Sequence, residues 1–467
     1  MSVFRTAEVA PSVADRIESL PLGRFHTRLL VASGLGWLFD AMDVGLLSFV
    51  LPALAVAWKL PPQTLGSIAS VGLFGMAVGA VLSGTLADYF GRRPVFMVTL
   101  LLYSLATGLS GLATGLGILL TLRFLVGFGL GGELPVASTL VSEYSPAAQR
   151  GRMLVLLESF WAFGWLLAAV LAYLVIPRYG WQVSFFVGAL PALYAVYLRR
   201  SLPESARYLE RKGRGKEAQA LLDRIEAEFG PGSARRAKAS AAAVPAAGGA
   251  VAAPSGDRSG VPFAALWSPA LIRRTVTLWI LWFSIVFSYY GIFTWLPSIM
   301  VAQGHGDLIK GFQYVLVITL AQIPGYFSAA YLVDRIGRKP TLVSYLALSG
   351  VAAFLFGRSA LPGELMLWGS LMSFFNLGAW GVVYTYTPEL YPTRARATGA
   401  GWAAGFGRLG GIIAPYVVGM LYGKVGGFPL VFGIFTGVLL LGALVVAVLG
   451  EETARRTLGE ISGEGGR

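Results

Sequence analysis

Six ionisable side chains stand inside runs of otherwise apolar residues: Asp40, Asp43, Arg123, Glu133, Glu158 and Arg408. At the centre of a membrane-crossing helix each costs about 2.5–3.5 kcal/mol, so each is a functional candidate by default. Asp40 and Asp43 are spaced i and i+3 and share one face of a helix. Arg123 has the charge to neutralise one of them, leaving the other poised to take up and release a proton. The plainer alternative is a structural ion pair that locks two helices together, and it accounts for only one aspartate. Four acids stand against two bases. Were all six ionised, the core would hold surplus negative charge, so some of the acids are expected to carry protons near neutral pH. Asp40 and Asp43, with Arg123, Glu133 and Glu158, are therefore the proton-site candidates. Arg408, in "AAGFGRLGGIIAP", has no acid anywhere in its half of the apolar spans. A fixed guanidinium without a counter-ion is a seat for a carboxylate. Bonds to backbone carbonyls, or a reach to Glu133 or Glu158, are the alternatives.

Aromatic residues gather in the same runs. Trp161 and Trp165 follow Glu158 at helical spacing, Tyr289 and Tyr290 are adjacent, and Asn376, Trp380 and Tyr384 form one helical stripe. A flat ring could stack among them, with Asn376 hydrogen-bonding a ring nitrogen. Any one aromatic alone reads as packing. The chain has no cysteine, which excludes zinc–thiolate sites and cysteine nucleophiles. His26 and His305 are far apart and no nucleophile or metal cluster is present. An enzyme, a cofactor and a bound metal are not expected.

The elements that hold these residues are membrane spans. Of 467 residues 55% are hydrophobic and 13% charged, about half the charge fraction of a soluble chain. Apolar runs suit twelve helices, near 29–57, 65–87, 94–113, 116–140, 152–176, 182–199, 274–302, 309–333, 341–358, 364–387, 398–421 and 428–449. The expected domains are a six-helix bundle over 1–200, a loop over 201–272 with short amphipathic helices and a flexible linker, and a second six-helix bundle over 273–467. The net charge is +13, which invites a nucleic-acid reading. Yet outside the membrane only Lys59, Arg178, Lys310, Arg358 and Lys424 fall on one side and every other Lys or Arg on the opposite side, so the positive-inside rule accounts for the charge. Both termini are then cytoplasmic, in a cell membrane, with no nucleic-acid partner and no cleavable leader. Glycines at GxxxG spacing, Gly75/Gly79, Gly127/Gly131 and Gly401/Gly405, suggest close helix packing.

The halves are repeats at an offset of 246. "GAVLSGTLADYFGRRP" (79–94) matches "GYFSAAYLVDRIGRKP" (325–340), and Glu143 meets Glu389, Pro146 meets Pro392 and Arg150 meets Arg396. The shared loop charges Asp88/Asp334, Arg92/Arg338, Glu143/Glu389 and Arg150/Arg396 belong to the duplicated frame and suit a cytoplasmic gate of ion pairs. Solvated loop charges are the alternative. The six intramembrane charges map instead to Val286, Tyr289, Gly369, Ala379, Ala404 and Ala162, so they serve something the repeat does not share.

"GTLADYFGRR" (84–93), its echo before the ninth span, and Arg123 followed by "GFGLGGE" resemble the signature of the major facilitator superfamily. "PESARYL" (203–209) resembles its sugar-porter and organic-ion branch. "FDAMDVGLLSF" is similar to bacterial niacin transporters, relatives of synaptic vesicle glycoproteins and of organic anion and cation transporters. The resemblance implies a monomer of two bundles that rock around a central cavity. Organic anion transporters have an arginine in the stretch matching Arg408, which implies an anionic substrate. The expected function is proton-coupled import of a small aromatic carboxylate such as nicotinate. A sugar or polyol porter, and a receptor-like protein without flux, are the alternatives.

Overall fold

In the computed structural model the described residues are 13–18, 20–146, 149–194, 197, 202–229, 263–303, 306–392, 395–424 and 426–454. The expected linker at 240–260 and His305 lie outside them. Apolar residues around the whole helix circumference bury each long helix among others or turn it outward, while the helical backbone pairs its own polar groups. The first half contains α1 (Val13–Glu18), α2 (Arg24–Trp58), α3 (Pro62–Phe90), α4 (Arg92–Ser110), α5 (Leu116–Tyr144), α6 (Arg150–Tyr179) and α7 (Trp181–Gly188). Two short helices follow, α8 (Ala206–Arg211) and α9 (Gly215–Ala227), then a 3-10 turn at Phe263–Trp267. The second half contains α10 (Ile272–Gln303), α11 (Leu308–Leu320), α12 (Gln322–Arg335), α13 (Arg338–Phe356), α14 (Pro362–Leu390), α15 (Arg396–Tyr422) and α16 (Gly427–Leu449).

The sequence offset is also structural. Adding 246 to the first residues of α3, α4, α5, α6 and α7 (62, 92, 116, 150, 181) gives 308, 338, 362, 396 and 427, the first residues of α11, α13, α14, α15 and α16. Two expected spans are broken. The eighth turns at Ala321 between α11 and α12, because Pro324 has no N–H for the Leu320 carbonyl. In the sixth, α7 ends at Gly188. Pro191 likewise cannot serve Val187, and helix resumes at 191–194.

Within each half, α2 packs on α6 and α5 on both α3 and α4; α10 packs on α15 and α13 on both α14 and α16. At α3 and α5 a Cβ on Gly75, Gly79, Gly127 or Gly131 would strike the backbone of the other helix, so these glycines let the two backbones touch. Gly401 and Gly405 differ from the expectation: a Cβ on either would meet nothing within 4 Å. They face outward from α15.

The halves meet through α3 with α15, α2 with α10 and α6 with α11. These contacts are dense at the end remote from the termini. There Gln63 Nε2 donates to Tyr416 Oη at 2.9 Å, Gln313 Nε2 donates to Tyr173 Oη at 3.0 Å, and Phe49 meets Phe312 edge-on with centroids 5.1 Å apart. At the termini-side end the loop charges knit each half to itself. Arg338 pairs with Glu389 at 3.2 Å and Asp334 at 3.4 Å, and Ser205 Oγ donates to Glu143. Among the described residues the interactions of Glu143 with Ser205, and of Arg338 with Asp334 and Glu389, run within a half. Arg396 lies beside Glu389. The side chains of Asp88 and Arg150 lie outside the described residues. Each half adds a device the repeat analysis missed: Glu204 accepts from the Arg92 backbone N–H at 2.9 Å and Glu452 from that of Arg338 at 3.0 Å. An acid thereby faces the positive end of α4 and of α13.

Candidate functional site

Three clusters hold the intramembrane charges. In the first, Asp43 on α2 lies 3.5 Å from the Arg123 guanidinium of α5. Thr107 Oγ1 donates to Asp43 Oδ1 at 2.5 Å, Arg123 Nη2 donates to Ser110 Oγ at 2.9 Å, and the Phe185 ring lies under the guanidinium, 4.7 Å from its centroid. Residues of α2, α4, α5 and α7 thus enclose this pair, which is 1–2% exposed. An ion pair so dry needs further hydrogen bonds to its remaining atoms; Thr107 and Ser110 supply two, and Arg123 Nε has none among the described residues.

The second cluster is an acid pair. Asp40 and Glu133 are fully buried, and Asp40 faces Glu133 and the Tyr103 hydroxyl. None of the four carboxyl oxygens, nor Tyr103 Oη, has a good hydrogen-bond partner among the described residues. Glu133 reaches this spot because residue 36, one turn before Asp40, is glycine; a Cβ there would lie 3.0 Å from Glu133 Oε2. Asp40 and Asp43 share a helix face, yet they belong to different clusters, one with an acid and one with an arginine.

The third cluster surrounds a small cavity of about 60 Å³ between the halves. Arg408 on α15, Trp161 on α6, Tyr290 on α10, and Trp380 and Tyr384 on α14 line it. Among the described residues Arg408 makes no ion pair; its one polar contact is to the Met76 carbonyl, at a long 3.5 Å. Tyr289 and Trp165 stand behind the wall. Trp161 Nε1 donates to Tyr289 Oη at 2.8 Å across the two halves, and Trp165 meets Tyr289 edge-on at 6.0 Å. Asn376 is outside the lining and donates to Ser288 Oγ at 3.2 Å. Glu158, 8% exposed, lies beside the Trp37 indole.

Sequence reasoning missed Trp37 and Trp282 in this wall. Trp37 carried a signal, being three residues before Asp40 on the same helix; Trp282 carried none. A second cavity, lined by Asp43 and Arg123, shares Leu73, Met76 and Tyr290 with the first. One layer of side chains therefore separates the ion pair from the Arg408 cavity.

The family described as "Sugar (and other) transporter" matches residues 55–464. The niacin transporter of Acinetobacter baylyi is 51% identical over 449 residues, covering 96% of this chain and 99% of that protein. A Bacillus subtilis protein named for niacin/nicotinamide transport is 46% identical over 431 residues, covering 92% and 97%. Among solved structures, the E. coli xylose transporter in a partially occluded inward-open conformation superposes with TM-score 0.72 at 18% identity, covering 93% of this chain and all of that one. The chain is a transporter and belongs to the sugar (and other) transporter family of the major facilitator superfamily.

Proposed function

We propose that this chain is a proton-coupled importer of nicotinate or a closely similar aromatic carboxylate. The observation that carries the reading is Arg408, a guanidinium without an acid partner that faces a cavity walled by aromatic rings. Such a group binds a carboxylate through two parallel N–H donors, while Trp161, Trp380 and Tyr384 offer faces and edges to a flat ring. The names of the relatives from Acinetobacter and Bacillus support the ligand. Coupling would fall to the buried acids. The Asp40–Glu133 cluster holds acids that a proton can neutralise without stranding a charge in the interior, whereas a proton on Asp43 would leave Arg123 without its anion. An anion crossing together with a proton moves no net charge, so a proton gradient would draw it inward. The chain would act as a monomer in the cell membrane, with both termini in the cytoplasm, by alternating exposure of the cavity.

Uptake of labelled nicotinate into proteoliposomes, with and without an inward proton gradient, tests this. Accumulation above equilibrium only with the gradient is expected. Equilibration without accumulation would remove the coupling and keep the substrate; absence of both uptake and binding would remove the substrate. The family description and the xylose-transporter fold favour a second reading, a sugar porter. Displacement of nicotinate uptake by unlabelled hexose would support it.

A further inference from the structure

We propose that Glu158, with the Trp37 indole beside it, forms the second pole of the cavity and holds the ring nitrogen of a pyridine carboxylate whose carboxylate lies on Arg408. This rests on the nicotinate reading and adds to it a rule for which aromatic carboxylates are accepted.

Two polar groups near this wall have no settled partner. Trp37 lines the cavity, is 8% exposed, and its Nε1–H is buried with no acceptor in good geometry among the described residues. Glu158 makes no ion pair among the described residues, although it is nine-tenths buried. Tyr290 and Tyr384, both in the cavity wall, lie within electrostatic range of Glu158 and of Arg408. Glu158 is not itself in the cavity lining; it stands beside Trp37, which is.

The repeat sharpens the assignment. Glu158 is on α6 and Arg408 on α15, the repeat-related helices. At the offset of 246, Glu158 maps to Ala404 (158 + 246 = 404) and Arg408 maps back to Ala162 (408 − 246 = 162). Each half supplies one charged group where its counterpart has alanine, about one helical turn apart and of opposite sign. A ligand with one anionic end and one basic end fits that asymmetry; a ligand with a single polar end leaves one pole unused.

A pyridine nitrogen supplies the basic end. Either the Glu158 carboxylic acid donates its O–H to the ring nitrogen, or a pyridinium N–H donates to the carboxylate. In both forms one proton lies between the two atoms and is counted in with the ligand. Benzoate offers no ring acceptor and leaves Glu158 unpaired. Nicotinamide offers the ring nitrogen but no anion to Arg408.

The test is displacement of labelled nicotinate from the purified full-length protein by unlabelled nicotinate, benzoate and nicotinamide. Benzoate is expected to displace roughly 10- to 100-fold more weakly than nicotinate, the worth of one hydrogen bond to a charged or buried group. In Glu158→Leu the two ligands should fall within about threefold of one another, through weaker nicotinate binding. Glu158→Gln, whose amide still donates to a ring nitrogen, should keep most of the gap. Benzoate binding the unaltered protein as tightly as nicotinate, or an undiminished gap in Glu158→Leu, overturns the proposal and leaves the nicotinate reading standing. No binding of nicotinate to the unaltered protein removes both. The comparison on the unaltered chain holds even if Glu158→Leu does not fold.

Discussion

Arg408 and Arg123 are both arginines inside the membrane, and the structure gives them opposite surroundings. Arg123 is built in by Asp43, Ser110 and the Phe185 ring, whereas Arg408 faces a cavity and, among the described residues, hydrogen-bonds to one backbone carbonyl. Their substitutions should fail differently. Arg408→Ala removes a bidentate seat while the cavity itself absorbs the lost volume, so the fold should persist. Nicotinate affinity should fall about 100-fold, roughly two charge-assisted hydrogen bonds less the water that replaces them. Arg408→Lys keeps the charge but not the fork and should recover only part of it. Direct binding to the two variants, at unchanged melting temperature, checks this. Arg123→Ala instead leaves the Asp43 carboxylate buried without its cation, a loss of about 3–5 kcal/mol in comparable cases. Adding Asp43→Asn to that variant removes the stranded charge and should restore most of the lost stability. Thermal unfolding in detergent reads the cycle, and a double variant no more stable than Arg123→Ala would show that the charge is not the cause.

At the level of helices, glycine decides which surfaces touch. A side chain at Gly127 would be driven into the Gly72 carbonyl of α3, a backbone atom that cannot swing away, whereas one at Gly401 enters open space. Gly127→Leu should therefore split α3 from α5, at a cost above the roughly 1–3 kcal/mol of ordinary overpacking. Gly401→Leu should leave the yield of folded protein unchanged. Comparative expression and size-exclusion behaviour of the two variants measure this. The two glycines look alike in sequence, because GxxxG spacing records which residues share a face and not which neighbour that face meets. The same limit explains the rest of what sequence reading reached. Hydropathy and the 246 offset are local or self-referential signals, so spans, repeat and the two kinds of arginine were legible. The break at Ala321 needed Pro324 to be weighed against an apolar run that continues past it. Asn376 read as a site residue because an amide in a membrane needs a partner; the partner is Ser288 on α10, and no spacing within α14 could reveal it. Trp282 enters the wall only through the packing of α10 against α14 and α15.

For the molecule as a whole, the asymmetry of contacts between the halves sets what must move. The end remote from the termini is held shut by Gln63 with Tyr416, Gln313 with Tyr173 and Phe49 with Phe312. At the opposite end, among the described residues, Arg338 pairs with Asp334 and Glu389 of its own half. If substrate is to enter the Arg408 cavity from the remote end, the α3–α15 contact must part. The chain offers a clean way to ask, because it contains no cysteine. Cysteines placed at Gln63 and Tyr416, whose side chains meet at 2.9 Å in the unaltered chain, should be bridged by a short thiol-specific cross-linker. Uptake into proteoliposomes should then fall to background and return when a cleavable linker is reduced. Nicotinate binding to the detergent-solubilised, cross-linked protein should persist, since Arg408 and its aromatic wall are untouched by a tie at the far end. Uptake that continued at full rate in protein shown to be cross-linked would mean that the halves need not separate along α3 and α15, and the path into the cavity would have to run elsewhere.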